Sequence, residues 1–213
     1  NNAIVGTNIT GNTLVDNSGG IGLLANQAYD YNIISYNGNA LASAPISVSI
    51  VTLPAITTAS FGTIDLSSIE LSYPGVYSFV SISRDGSIIN GNTSLSTYID
   101  TSSNLSPNQS YTYTITPYNS ISISGSTQTI STYTAPDITS ITLGTITTNS
   151  IAINVNGYYD HYDILIGANT VATNITGVTY VDISGYNGII PDASYNYTII
   201  PYNVNNLVGR SEE

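Results

Sequence analysis

A nine-residue phrase occurs three times in this 213-residue chain, and its first occurrence comes too early. Tyr29-Asp-Tyr-Asn-Ile-Ile-Ser-Tyr36-Asn37 returns as Tyr111-Thr-Tyr-Thr-Ile-Thr-Pro-Tyr118-Asn119, then as Tyr195-Asn-Tyr-Thr-Ile-Ile-Pro-Tyr202-Asn203. The spacings are 82 and 84 residues. Such a period is too long for a solenoid unit and suits a small β-sandwich. Other segments follow the same period. Asn8-Ile-Thr-Gly11 matches Asn174-Ile-Thr-Gly177, Asp16 matches Asp182, and Pro54-Ala-Ile-Thr57 matches Pro136-Asp-Ile-Thr139. Gly62-Thr-Ile64 matches Gly144-Thr-Ile146, and Gly125 matches Gly209.

These matches divide the chain. Residues 1–53 read as the back half of a repeat and 54–135 as a complete one. Residues 136–213 read as a third, stopping inside its last strand. A half repeat cannot bury a core alone. The expectation is that preceding residues or a neighbouring chain complete it. The linkers around Pro54 and Pro136 are short, which predicts a stiff, rod-like array.

The local pattern is β throughout. Short runs rich in Ile, Val, Thr and Tyr alternate apolar and polar residues, as in Ile69, Leu71, Tyr73 and again in Tyr111, Tyr113, Ile115. Gly, Pro, Asn and Asp punctuate them, and no sustained helical period is present. The predicted fold is an all-β array of sandwiches.

Before strand F of each repeat stands a recognisable phrase: Leu105-Ser-Pro107-Asn-Gln-Ser-Tyr111, Ile189-Ile-Pro191-Asp-Ala-Ser-Tyr195, and Leu23-Leu-Ala25-Asn-Gln-Ala-Tyr29. It resembles the L-x-P-x-x-x-Y signature of fibronectin type III modules. The resemblance covers essentially the whole chain. It implies tandem immunoglobulin-like sandwiches, each with a tyrosine corner at Tyr29, Tyr111 or Tyr195. Arg84-Asp85-Gly86 then falls in the C–C′ hairpin as a tight type I′ turn. Two departures stand out. The usual strand B Trp is missing, with Tyr73 and Val155 at the equivalent positions. The Pro-Tyr-Asn steps at 117–119 and 201–203 are similar to divergent modules in structural proteins of large DNA viruses and in secreted microbial proteins. That likeness implies a virion or cell-surface setting.

Composition limits the function. With 13 acidic residues against two arginines and no lysine, the net charge is -11. Phosphate neutralisation by clustered Lys and Arg is excluded, so nucleic acid is not an expected partner. The chain has no cysteine and no apolar run of membrane-spanning length, so thiolate metal sites and membrane insertion of this segment are not expected. Abundant Ser, Thr and Asn fit an extracellular or virion-surface location.

No catalytic residue, cofactor or metal is assigned. The single histidine, His161, lies in Tyr158-Tyr-Asp-His-Tyr-Asp163. Alternation sets Asp160 and Tyr162 on one face, His161 and Asp163 on the other, so the cluster reads as a solvated strand edge. The recurring Asp16, Asp100 and Asp182 read as turn formers rather than as an inter-module calcium site. Most tyrosines recur at fixed positions and read as packing. Tyr158, Tyr159, Tyr162 and Tyr186 are set aside as a candidate glycan or partner contact. N-x-S/T sequons fall at Asn8, Asn92, Asn104, Asn108, Asn174 and Asn196; all but Asn104, whose sequon runs into Pro107, are candidate N-glycosylation sites. The function expected is a non-enzymatic structural protein: a repeat array in a fibre, capsid-associated element or surface appendage. Its partners would be copies of itself or neighbouring structural proteins. The alternative is an adhesin or a carbohydrate-binding accessory module.

Overall fold

A computed structural model describes residues 4–17, 22–183 and 188–212. The described residues form strands and turns, with no helix, and so none long and apolar enough to cross a membrane. In the first copy, β1 (Ala28–Ile33) pairs with β2 (Ile46–Val51). The second copy holds β3 (Ala55–Ile56), β4 (Ser60–Ile64), β5 (Ile69–Ser72), β6 (Gly75–Val76), β7 (Phe79–Arg84), β8 (Ser87–Thr93), β9 (Thr97–Asp100), β10 (Ser110–Tyr118) and β11 (Gln128–Tyr133). The third holds β12 (Asp137–Ile146), β13 (Ile151–Tyr158), β14 (His161–Ile166), β15 (Asn169–Ile175), β16 (Thr179–Asp182) and β17 (Tyr197–Tyr202).

The third copy shows the architecture most plainly. Two three-stranded antiparallel sheets form, in the orders β12-β13-β16 and β15-β14-β17. Alternation aims Ile153 and Val155 of β13 into the same core as Tyr162 and Ile164 of β14, Ile199 of β17 and Ile138 of β12. Burying each such side chain contributes roughly 1.5–3 kcal/mol. A charge at Ile164, which is fully buried, would leave an unpaired ion in that core.

The second copy repeats the pattern in the orders β4-β5-β9 and β11-β10-β7-β8. Ile69, Leu71, Tyr73, Val80, Ile82, Tyr113 and Ile115 are fully buried. Tyr73 and Val155, expected at equivalent positions of the two copies, are both fully buried. The β7–β8 hairpin turns on Asp85 and Gly86 at φ 49° and 82°, as a type I′ turn demands. The repeated Gly-Thr-Ile phrase also has a physical role. In both copies it sits in a β-bulge, between Phe61 and Ile64 and between Leu143 and Ile146.

Compactness follows a different division. One compact unit comprises Asn1–Ala59, Tyr73–Ser96 and Thr114–Thr129, the other Ser60–Ser72, Thr97–Tyr113 and Ile130–Glu213. Each unit contains one linker together with the residues on both sides of it.

Candidate functional site

The repeated Tyr-Asn step follows β1 and closes β10 and β17, and it opens the turn after each. In each copy the Asn side chain builds that turn. Asn37 Oδ1 accepts from the Asn39 and Leu41 amides, Asn119 Oδ1 from Ile121 and Ile123, and Asn203 Oδ1 from Asn205 and Leu207. The amide nitrogen has a second task. Asn119 Nδ2 donates to the carbonyls of Val51 and Thr52, both at 3.3 Å. Asn203 Nδ2 donates to the carbonyl of Thr134 at 3.1 Å. Both asparagines are fully buried. They hold the linker that precedes their own copy.

The other side of each linker is held by the preceding copy. The Thr52 amide donates to Gln27 O, the Gln27 amide to Thr52 Oγ1 and the Asn26 amide to Leu53 O, at 2.9–3.0 Å. At the next junction Thr134, Gln109, Asn108 and Ala135 repeat this set at 3.0–3.1 Å. Asn26 and Asn108 take left-handed φ of 54° and 51°, a conformation asparagine tolerates. Two glycines complete the clamp. A Cβ on Gly125 or Gly209 would lie 2.1 Å from the carbonyl oxygen of Pro54 or Pro136. Only glycine lets the turn approach so closely. The junctions are not identical: Asn119 reaches two carbonyls and Asn203 one. Ser78 Oγ donates to Asn26 Oδ1, whereas the equivalent of Ser78 at the second junction is Asp160.

Two further devices recur beside the clamp. The Leu24, Ser106 and Ile190 amides donate to the hydroxyls of Tyr29, Tyr111 and Tyr195 at 2.7–2.9 Å, so all three copies carry the tyrosine corner. Two residues on, Tyr31, Tyr113 and Tyr197 donate to Asp16, Asp100 and Asp182 at 2.7–2.8 Å. Asp100 and Asp182 are fully buried. Asp100 does cap a local turn through the Ser102 amide. Yet the turn-former reading missed the main role of these acids, which is to receive a core phenol. The phenols respond to the arrangement. Tyr197 is pushed up by burial and then by its bond to Asp182, and Tyr31 chiefly by its bond to Asp16.

The His161 cluster is a packing element. Its ring stacks on Tyr202 at 5.0 Å and 6°, as Phe79 stacks on Tyr118 at 4.9 Å and 7°. Histidine here replaces a phenylalanine of the repeat. Alternation separated Asp160 from His161, but Asp160 Oδ2 reaches His161 Nδ1 at 3.0 Å because Asp160 precedes the strand. Among the described residues no three His, Cys, Asp or Glu side chains gather to hold a metal.

Two of the tyrosines set aside as a contact patch, Tyr159 and Tyr162, belong to the packing of the repeat. Tyr162 is fully buried in the core and bonds Gly177 O, so no glycan reaches it. Tyr159 packs edge-on against Tyr162 and bonds Val155 O, as Tyr77 bonds Tyr73 O, so it belongs to the repeat. Tyr158 is 56% exposed. Tyr186 lies outside the described residues. Of the sequons, Asn8, Asn92, Asn174 and Asn196 are exposed. Asn108 has a buried Oδ1 and lies in the linker clamp, where a glycan would displace the junction.

Asn119, Asn203 and the clamp glycines were missed as a site. Their signal was present: Asn and Gly stand six residues apart in both copies, following a proline that opens each copy.

No family model matches the chain, and no curated protein matches it. Solved structures do. A two-domain fibronectin type III segment of chicken tenascin aligns over 75% of this chain and 95% of its own, at 13% identity and a TM-score of 0.46. The FN1-FN3 domains of chicken CNTN1 align over 90% of this chain and 75% of their own, at 14% identity and a TM-score of 0.37. Chitinase ChiA74 from Bacillus thuringiensis aligns over 69% of this chain and 26% of its own, at 14% identity and a TM-score of 0.35. The chain's own strand orders and repeated tyrosine corner identify it as a tandem of fibronectin type III-like β-sandwich modules.

Proposed function

We propose that this chain is a non-enzymatic structural spacer, with module boundaries at Pro54 and Pro136, in which the linkers are fixed parts of the fold. The observation that carries this reading is the double clamp. Each linker is hydrogen-bonded to the corner before it and to the buried asparagine after it, in the same way at both junctions. Ordered connections of this kind resist the independent tumbling expected of modules on free linkers. A fibre, capsid-associated element or surface appendage at an extracellular or virion surface uses such stiffness. Only 7% of the residues are charged, which leaves uncharged polar surface for lateral contacts with copies or neighbouring structural proteins. Glycan binding would rest on Tyr158, the exposed ring of its cluster.

Small-angle X-ray scattering tests the stiffness. The Asn119→Ala, Asn203→Ala double variant should scatter as a more flexible chain than the wild type while retaining its β circular dichroism. Equal flexibility in the two proteins would remove the spacer reading.

A further inference from the structure

One sequon recurs in all three copies at the same place. Asn8-Ile-Thr10, Asn92-Thr-Ser94 and Asn174-Ile-Thr176 each stand eight residues before the repeated acid, Asp16, Asp100 or Asp182. The sequon at Asn196 does not recur, since Thr112 and Asp30 stand at its equivalents.

The fold puts the recurring asparagine on an outermost strand. β8 ends the sheet order β11-β10-β7-β8, and β15 begins the order β15-β14-β17. Val80 pairs with Thr93 and Ile82 with Asn90, so Gly91 and Asn92 together oppose Ser81 in a bulge. Tyr162 pairs with Ile175 and Ile164 with Ala172, so Thr173 and Asn174 oppose Asp163 in the same way. The Asn92 and Asn174 backbone amides donate to Asn90 Oδ1 at 3.3 Å and Asp163 Oδ1 at 3.0 Å. Asn8, Asn92 and Asn174 are exposed, and so are Thr10, Ser94 and Thr176. Backbone conformation does not explain the shared residue type. Asn8 and Asn174 have left-handed φ of 53° and 54°, whereas Asn92 does not. The hydroxyl two positions later is common to all three.

Apart from the bulge, both edges lack the usual protection. Ser87-Ile-Ile-Asn-Gly-Asn-Thr93 and Asn169-Thr-Val-Ala-Thr-Asn-Ile175 contain no charge and no proline, and Ile88 is 70% exposed. Such edges pair with other sheets unless something blunts them.

We propose that Asn8, Asn92 and Asn174 are N-glycosylated, one acceptor per copy, and that the sugars on Asn92 and Asn174 shield the β8 and β15 edges from edge-to-edge pairing. In the reaction, Nδ2 attacks the anomeric carbon of a sugar pyrophosphate donor. A C–N bond forms, the C–O bond to the pyrophosphate breaks, the pyrophosphate leaves with the bonding pair, and Nδ2 gives one proton to a base of the transferase. Lipid-linked and nucleotide-linked donors share this chemistry. The inference rests on the extracellular or virion-surface setting proposed above and not on the linker clamps, so scattering and glycan mapping can fail separately.

The full chain is tested in two arms: secretion through a compartment that uses lipid-linked donors, and treatment with a cytosolic asparagine glycosyltransferase and its nucleotide sugar. Peptide mass spectrometry should find sugar on Asn8, Asn92 and Asn174 in one arm, which identifies the donor. The Thr10→Ala, Ser94→Ala, Thr176→Ala chain should lose it with its circular dichroism unchanged, whereas Thr10→Ser and Thr176→Ser should keep it. In sedimentation, the bare chain should self-associate at a concentration about tenfold lower than the glycosylated one. Bare asparagines in both arms, or glycosylated and bare chains that sediment alike, overturn the proposal.

Discussion

Gly209 occupies the tightest backbone position of the second junction. A methyl group there would stand 2.1 Å from the Pro136 carbonyl oxygen, and backbone cannot yield as a flexible side chain can. Gly209→Ala should therefore lower the stability of the third copy by about 1–3 kcal/mol, read as a depressed thermal midpoint. Gly91→Ala is the control. Its Cβ would meet nothing closer than 3.8 Å, and its effect should stay within about 0.5 kcal/mol. At this scale the sequence was legible where one residue type has one physical use. Tyr111 was readable as a corner because L-x-P-x-x-x-Y places a phenol beside its own upstream backbone. The Tyr113–Asp100 bond was not, because the partners lie 13 residues apart and the spacing becomes 15 in the other copies. Asn119 was hidden for another reason. Asparagine in a turn is already explained by its own backbone bonds, and its free amide gives no sign in the sequence of reaching a carbonyl 67 residues away.

Strands and turns followed the periodicity closely, because alternation and β-branched residues speak directly about sheet faces. β5 and β10 fall where Ile69, Leu71 and Tyr111–Ile115 placed them. The Tyr158–Asp163 cluster misled because composition alone cannot tell an outward tyrosine from one that closes a core. Its burial leads to a prediction about alkali. Burial pushes the Tyr162 phenol up to about 12, and Tyr197 is raised as well. Folding thus favours the neutral phenols. Their contribution is complete below the ordinary tyrosine value near 10 and is lost as pH climbs from there through about 12. Circular dichroism of the third copy's sheets should hold to about pH 10 and then collapse together with the absorbance rise of tyrosinate. Tyrosinate formation at Tyr162 and Tyr197 near pH 10 with the fold intact would contradict the burial of these rings.

Across the whole molecule, two arginines and no lysine leave a tryptic protease two bonds to consider. Arg84 is 9% exposed and lies in the β7–β8 hairpin, whereas the Arg210 side chain is 72% exposed. Trypsin should cut the native chain after Arg210 alone, and after both arginines in denaturant, as intact-mass spectrometry would show. Early cleavage after Arg84 would mean that the hairpin opens. The clamped linkers carry a last consequence, concerning load. A string of domains on loose tethers first lengthens by straightening its tethers, at almost no force. Here residues 52–54 and 134–136 have no slack to release, because the carbonyls of Val51, Thr52 and Thr134 are held by Asn119 and Asn203. Tension applied to the ends would reach the sheets at once, so the first event under pull is the shearing of hydrogen bonds at a junction.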